Sequence, residues 1–142
     1  MLVKKIIRHS FIIGCLILAP TISAQVLIVH PHNTSSQLTR NNLRAIFAMR
    51  TPQWPDGIPV HVFVLEDNDP VHVSFCKHLL DMFPYQLRRV WDRQVFSGTG
   101  IAPIAVKTEQ EMRERVASTE GAIGYLLPEN VDSSIKTIEE IL

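Results

Sequence analysis

The residues able to do chemistry are few and scattered. Beyond residue 24 the chain holds five histidines: His30, His32, His61, His72 and His78. Only His30-Pro31-His32 puts two close together. Two neutral imidazoles can hold a transition metal, but no Cys or carboxylate stands at a usual ligand spacing. No metal site is expected, and these histidines read as strand-end or surface groups. His72 and His78, six apart on one helical segment, point to different faces and do not chelate together. Ser97-Gly98-Thr99-Gly100 has the composition of a phosphate-cradling loop, where glycines let backbone N–H groups converge on an anion. The same composition also makes plain turns. Trp54 and Trp91 could stack on a ligand, but Trp91 lies on an apolar helix face and reads as core. Trp54 sits in a proline-bounded loop and is undecided. No nucleophile elbow, GxGxxG, P-loop or HExxH is present. The chain is therefore expected to be no enzyme, with no catalytic residue and no cofactor.

Composition narrows the setting for these groups. The 142 residues carry 14 basic and 14 acidic side chains, with 46% hydrophobic and 20% charged residues. Such a chain can bury a core without staples and is not disordered. The balanced charge argues against a nucleic-acid partner. The two cysteines cannot build a disulfide scaffold.

Residues 1–24 read as a leader rather than as part of the fold. Lys4, Lys5 and Arg8 precede a short apolar run, Phe11 to Ala19, and Ser23-Ala24 supplies small residues at its end. This is the pattern of a secretory signal peptide cleaved after Ala24. A retained anchor is the first alternative. Lipidation at Cys15, within Ile12-Ile13-Gly14-Cys15, is the second. Cleavage leaves residues 25–142 as one exported domain with three more acidic than basic residues. Cys76 then remains alone, an inert buried thiol or, alternatively, one half of an intermolecular bridge.

The elements that must position these groups alternate between strand and helix. Val26 to Val29 is a continuous apolar strand. Asn33 to Gln37 is turn-like, and Thr39 caps a helix carrying Leu43, Ile46 and Phe47, with Leu38 as a staple before it. A proline-rich loop from Arg50 to Pro59 leads to a second strand, Val60 to Leu65. Asp69 as N-cap and Pro70 at the first position open a helix whose face is Val71, Phe75, Leu79 and Leu80. Pro84 starts another helix, with Leu87, Val90, Trp91 and Phe96. Ile101 to Val106 is extended. Thr108 and Glu111 form a capping box for a helix through Val116. Ala122 to Leu127 is a strand, and the segment from Ile135 to Leu142 is a last strand or a helix. The pattern predicts an α/β layered domain, with Ile28, Phe47, Val62, Phe75, Leu79, Trp91 and Ile123 in its core.

Three segments carry a resemblance. Leu38 to Trp54, LTRNNLRAIFAMRTPQW, followed by Pro55-Asp56-Gly57, is similar to a leucine-led helix in the periplasmic phosphate-binding proteins of ABC importers. Trp91 to Gly100, WDRQVFSGTG, and Gly121 to Tyr125, GAIGY, resemble two later segments of the short, single-lobe members. The resemblance implies a type II periplasmic-binding-protein-like single lobe, a mixed sheet flanked by helices. It further implies a periplasmic solute-binding role, a small oxyanion such as phosphate as ligand, and an ABC transporter or other periplasmic or membrane protein as partner. The alternative is a structural or sensory interaction module built on one lobe. Full-length members hold the anion with an arginine and a Ser-Gly-Thr at a helix start. By alignment on Phe75 those places fall at Leu65 and at Asp69-Pro70-Val71. Leu65 brings no charge, Pro70 removes an N–H, and Asp69 competes for the helix amides, so phosphate should be held weakly. The implied contact residues are Asp69 and Val71, with Ser97, Gly98, Thr99 and Gly100 beside them.

Overall fold

A computed structural model describes residues 24–142; the leader assigned to residues 1–24 lies outside them except for Ala24. Six strands form one mixed sheet: β1 (Val26–Val29), β2 (Gln37–Thr39), β3 (His61–Val64), β4 (Ile104–Ala105), β5 (Ala122–Leu126) and β6 (Lys136–Ile141). Their order across the sheet is β2-β6-β1-β5-β3-β4. β1 is antiparallel to both neighbours, whereas the β3–β5, β3–β4 and β2–β6 pairs are parallel. Five strands therefore run one way and the central β1 the other. The four helices among the described residues are α1 (Arg40–Phe47), α2 (Pro70–His78), α3 (Pro84–Ser97) and α4 (Glu109–Ser118). A short 3-10 turn covers Pro128–Asn130.

All five residues of β5 are buried, because helices cover both sheet faces. On one face α4 lies close over Gly124, where a Cβ would come within 2.5 Å of Met112 Sδ. Arg115 of α4 sits over the Phe63 ring on the same face. On the other face Tyr125 stacks on Phe75 of α2 at 3.8 Å between centroids, and Phe47 of α1 tilts against both rings. A strand buried on both faces has no polar alternation, in keeping with its apolar sequence.

Helix starts follow the capping chemistry. The side chains of Thr39, Asp69 and Thr108 accept from the amides of Asn42, Val71 and Glu111 at 3.2, 2.8 and 3.1 Å. α3 is fixed by Pro84 and by the Gln86 side chain, which accepts from Phe83 N at 2.8 Å. α1 ends in a left-handed turn occupied by Met49, at φ 60°, with Arg50 N donating to Ala45 O.

Several expectations need correction. Leu38 belongs to β2 rather than acting only as a staple. Leu79 is half-buried, while Leu80 enters the core, because α2 ends at His78 and the chain turns at Asp81, at φ 50°. Phe96 is 91% exposed instead of lining the apolar face of α3. His72 is fully buried, not a surface group. The open ending resolves as strand β6. The remaining core residues named above are all buried.

Gly121 closes the turn that leads into β5. Its φ is +77°, and a Cβ there would collide with the Pro59 carbonyl oxygen. Its own carbonyl accepts from His61 N and from Trp54 Nε1. Gly121→Ala is expected to cost more than about 2 kcal/mol, since left-handed strain and a backbone clash add. Urea unfolding checks this, and a loss under about 0.5 kcal/mol, the level of a neutral surface change, would contradict it.

Candidate functional site

The resemblance puts the candidate site at the start of α2. β3 delivers the chain to it through Leu65, Glu66, Asp67 and Asn68. The turn is closed by Asp69 N donating to Glu66 O at 2.9 Å. Asp69 then turns its carboxylate onto Val71 N at 2.8 Å, and Pro70 has no N–H to offer. A negative charge at a helix start is stabilising for the helix. The same carboxylate takes up the Val71 amide.

An arginine that reaches into this turn is already paired. Arg88 of α3 donates two parallel bonds to Asp67, both 2.8 Å. The pair holds the Asp67 carboxyl below its usual range and the Arg88 guanidinium above its own. Arg88 also lies 4.9 Å over the Trp91 ring. Beside the pair an open groove of about 530 Å³ is lined by Asp67, Asn68, Phe83, Tyr85, Arg88 and Arg89.

Beneath α2 lies a buried polar cluster. The Tyr125 hydroxyl accepts from Leu65 N at 2.9 Å and bonds His72 Nδ1. With the amide already donating to it, the hydroxyl proton has His72 Nδ1 as its acceptor. That assignment leaves the proton of the neutral ring on Nε2, facing Cys76 Sγ at 3.4 Å. Burial pushes all three groups toward their neutral forms. The His72 pKa is lowered, the Cys76 thiol is pushed up to about 12, and Tyr125 is raised well above its ordinary value. An un-ionised thiol is a poor nucleophile and a poor metal ligand. Cys76 is thus a buried, inert thiol.

The structure does not bring Ser97, Gly98, Thr99 and Gly100 to the start of α2. They form the C-terminus of α3, with Gly98 left-handed at φ 69°. Gly98 N donates to Val95 O, and Thr99 N and Gly100 N to Gln94 O. Ser97 Oγ and Thr99 Oγ1 bond each other at 2.7 Å. The amides that an anion cradle needs are turned inward to cap carbonyls, at the negative end of the helix dipole. Thr99 and Gly100 face Pro59, His61 and Val62, at the beginning of β3, whereas Asp69 follows its end. Trp54 is buried with its indole N–H on Gly121 O, and Trp91 is buried with its own on Phe47 O, so neither is available to stack on a ligand.

Sequence reading missed Tyr125, His72 and the Asp67–Arg88 pair as site-shaping groups. His72 had a usable signal: it precedes Phe75 by three and Cys76 by four, which places it on the same helix face. The pairing of Asp67 with Arg88 joins two elements 21 positions apart and leaves no local trace.

No protein-family profile matches the sequence, and no curated protein matches it by sequence search. Solved structures do match. An ABC-type phosphate transport receptor from Vibrio cholerae superposes with a TM-score of 0.64 at 19% identity, over 82% of this chain and 46% of its own. A putative phosphate ABC transporter substrate-binding protein from Clostridium perfringens, solved with bound phosphate, gives 0.67 at 19% identity over 82% and 44%. A possible phosphate binding protein from Planctomyces limnophilus gives 0.60 at 15% identity over 83% and 41%. The chain spans less than half the length of each of these binding proteins.

The buried His72 has a pH consequence. Its folded pKa lies below the unfolded value of 6.5, because burial penalises the charged ring. The unfolded chain therefore binds the proton first. Its contribution to stability is constant above about pH 6.5 and falls as pH drops from there toward the folded pKa. Asp67 is lowered from 3.8, so its loss begins only in the more acidic range. Chemical denaturation between about pH 7 and 5 should show stability falling with pH, and His72→Leu should flatten that slope whatever its absolute stability. An equal slope in both proteins would contradict this reading. What the described residues share with phosphate-binding proteins of ABC transporters is the α/β fold of one lobe.

Proposed function

We propose that the chain is an exported, periplasmic solute-binding-like protein of the phosphate-binding type whose oxyanion contacts are largely replaced. The leader at residues 1–24 and the lobe-like fold support this reading. The observation that carries it is the Asp69 carboxylate on Val71 N at the helix start aligned with the family's anion contacts. Asp69 and Val71 mark the candidate contact region. Ser97, Gly98, Thr99 and Gly100 form a capped helix end that could meet a ligand only through hydroxyls. Asp69 costs an incoming anion about 0.3–2 kcal/mol. The arginine replaced by Leu65 removes about 1.5–3 kcal/mol more. Together these weaken phosphate by about one to four decades in dissociation constant. Leu65 is itself buried, so its position belongs to the core rather than to a ligand.

The second reading, an interaction module on one lobe that serves protein contact and not transport, is favoured by the same occupied amide. Calorimetric titration with inorganic phosphate separates the two. The protein is recovered from the periplasm, where its intact mass should begin at Gln25. Weak heats from the unmodified protein, with several-fold tighter binding by Asp69→Ser/Pro70→Gly, are the expected result. Tight phosphate binding that this double variant leaves unchanged would place the ligand elsewhere. Absence of binding by both would favour the interaction module.

A further inference from the structure

We propose that the outer face of α3 is a homodimer interface in which two copies of the helix pack antiparallel about a two-fold axis. α3 has 14 residues and buries only Leu87 and Trp91. Directly opposite these lie Tyr85, Arg89, Asp92 and Phe96, all exposed. At 100° per residue the four fall within an arc of about 60°. Their spacing of four, three and four is that of a coiled-coil seam.

The seam is self-complementary. When the helix meets its own copy antiparallel, centred between Val90 and Trp91, Tyr85 faces Phe96 of the second copy and Arg89 faces its Asp92. Two-fold symmetry repeats both contacts. One register thus satisfies an aromatic layer at each end and two opposite-charge pairs between them. In the reverse, parallel arrangement like meets like: Arg89 meets Arg89 and Asp92 meets Asp92.

Three features of the free surface fit this occupant. Phe96 is 91% exposed, an unusual state for a phenyl ring. Among the described residues Asp92 makes no direct ion pair and acts on Arg88, one turn back, only at longer range, so its carboxylate can meet Arg89 of the second copy. The side chains of the first turn already pack on one another: Phe83 and Tyr85 stack at 5.7 Å between centroids, and Arg89 lies 5.6 Å over the Tyr85 ring. Preorganised side chains lose less entropy on association. The flanking Arg88 would approach Arg93 of the second copy, but its charge is already matched by Asp67. One short helix pair makes a small interface, so the dissociation constant should be on the order of 10–100 µM.

Sedimentation velocity across that concentration range tests the arrangement. The unmodified protein should pass from monomer to dimer. Phe96→Asp, at a fully exposed position, should stay monomeric. Arg89→Asp and Asp92→Arg should each weaken the dimer at least tenfold, because each sets like charges face to face. Mixing these two single variants in equal amounts should restore association, as should the double exchange in one chain. A monomer at all concentrations would overturn the proposal. So would a dimer indifferent to Phe96→Asp, or charge variants that fail to rescue each other.

Discussion

The structure depends on β5 being buried on both faces. Its neighbours there are of opposite kind. On one side Gly124 offers no side chain, and α4 settles against the bare strand. On the other side Tyr125 offers the largest one, and α2 stacks on it through Phe75. Both arrangements come from adjacent residues of one five-residue strand. A phenol in that position brings a hydroxyl into the core, where it needs partners. It finds them in Leu65 N and His72. The consequence reaches the surface, because Leu65 leads into the turn that starts α2, and His72 lies in the first turn of that helix. The geometry of the candidate site is thus set from below.

Further contacts fix the start of α2 from its own side. The helix is capped by its own Asp69, the preceding turn is clamped by Asp67 and Arg88, and the amide of Leu65 is spent on Tyr125. Asp67 is balanced by Arg88 and Asp69 is engaged with the helix, while Glu66 between them and β3 is exposed to solvent. A site built to receive an anion leaves donors open, because an oxyanion must replace lost water with several hydrogen bonds. The local chemistry here runs the other way. The fold resembles that of a binding-protein lobe, while Asp69 and the Asp67–Arg88 pair occupy its helix start.

Much of the fold was legible because local chemistry and tertiary structure agree. Asp69-Pro70, Thr39 and Thr108 cap helices as their types imply, and the apolar runs at Val26 and Ala122 are strands. Legibility failed where a contact spans elements. Nothing near His72 in sequence announces that Tyr125, 53 positions away, will hold its ring in the core. The Ser97–Gly100 turn misled because glycine-rich composition fits an anion cradle and a helix C-cap equally. Only the direction of the amides distinguishes them, and that follows from α3 ending at Ser97 rather than beginning after Gly100. Phe96 shares α3 with the buried Leu87 and Trp91, but its position five residues after Trp91 puts it on the opposite face, where it is exposed.

The central claim is that one buried hydroxyl ties the sheet to the start of α2. Amide hydrogen exchange on Tyr125→Phe measures this directly, since the ring stack with Phe75 can persist while the hydroxyl is gone. The account predicts that Leu65 N and the first turn of α2 lose protection by at least about tenfold beyond any global change. That corresponds to about 1.4 kcal/mol of local opening. Amides of β1 should keep the protection set by global stability. Unchanged protection at Leu65, or a loss spread evenly over the whole sheet, would contradict the claim.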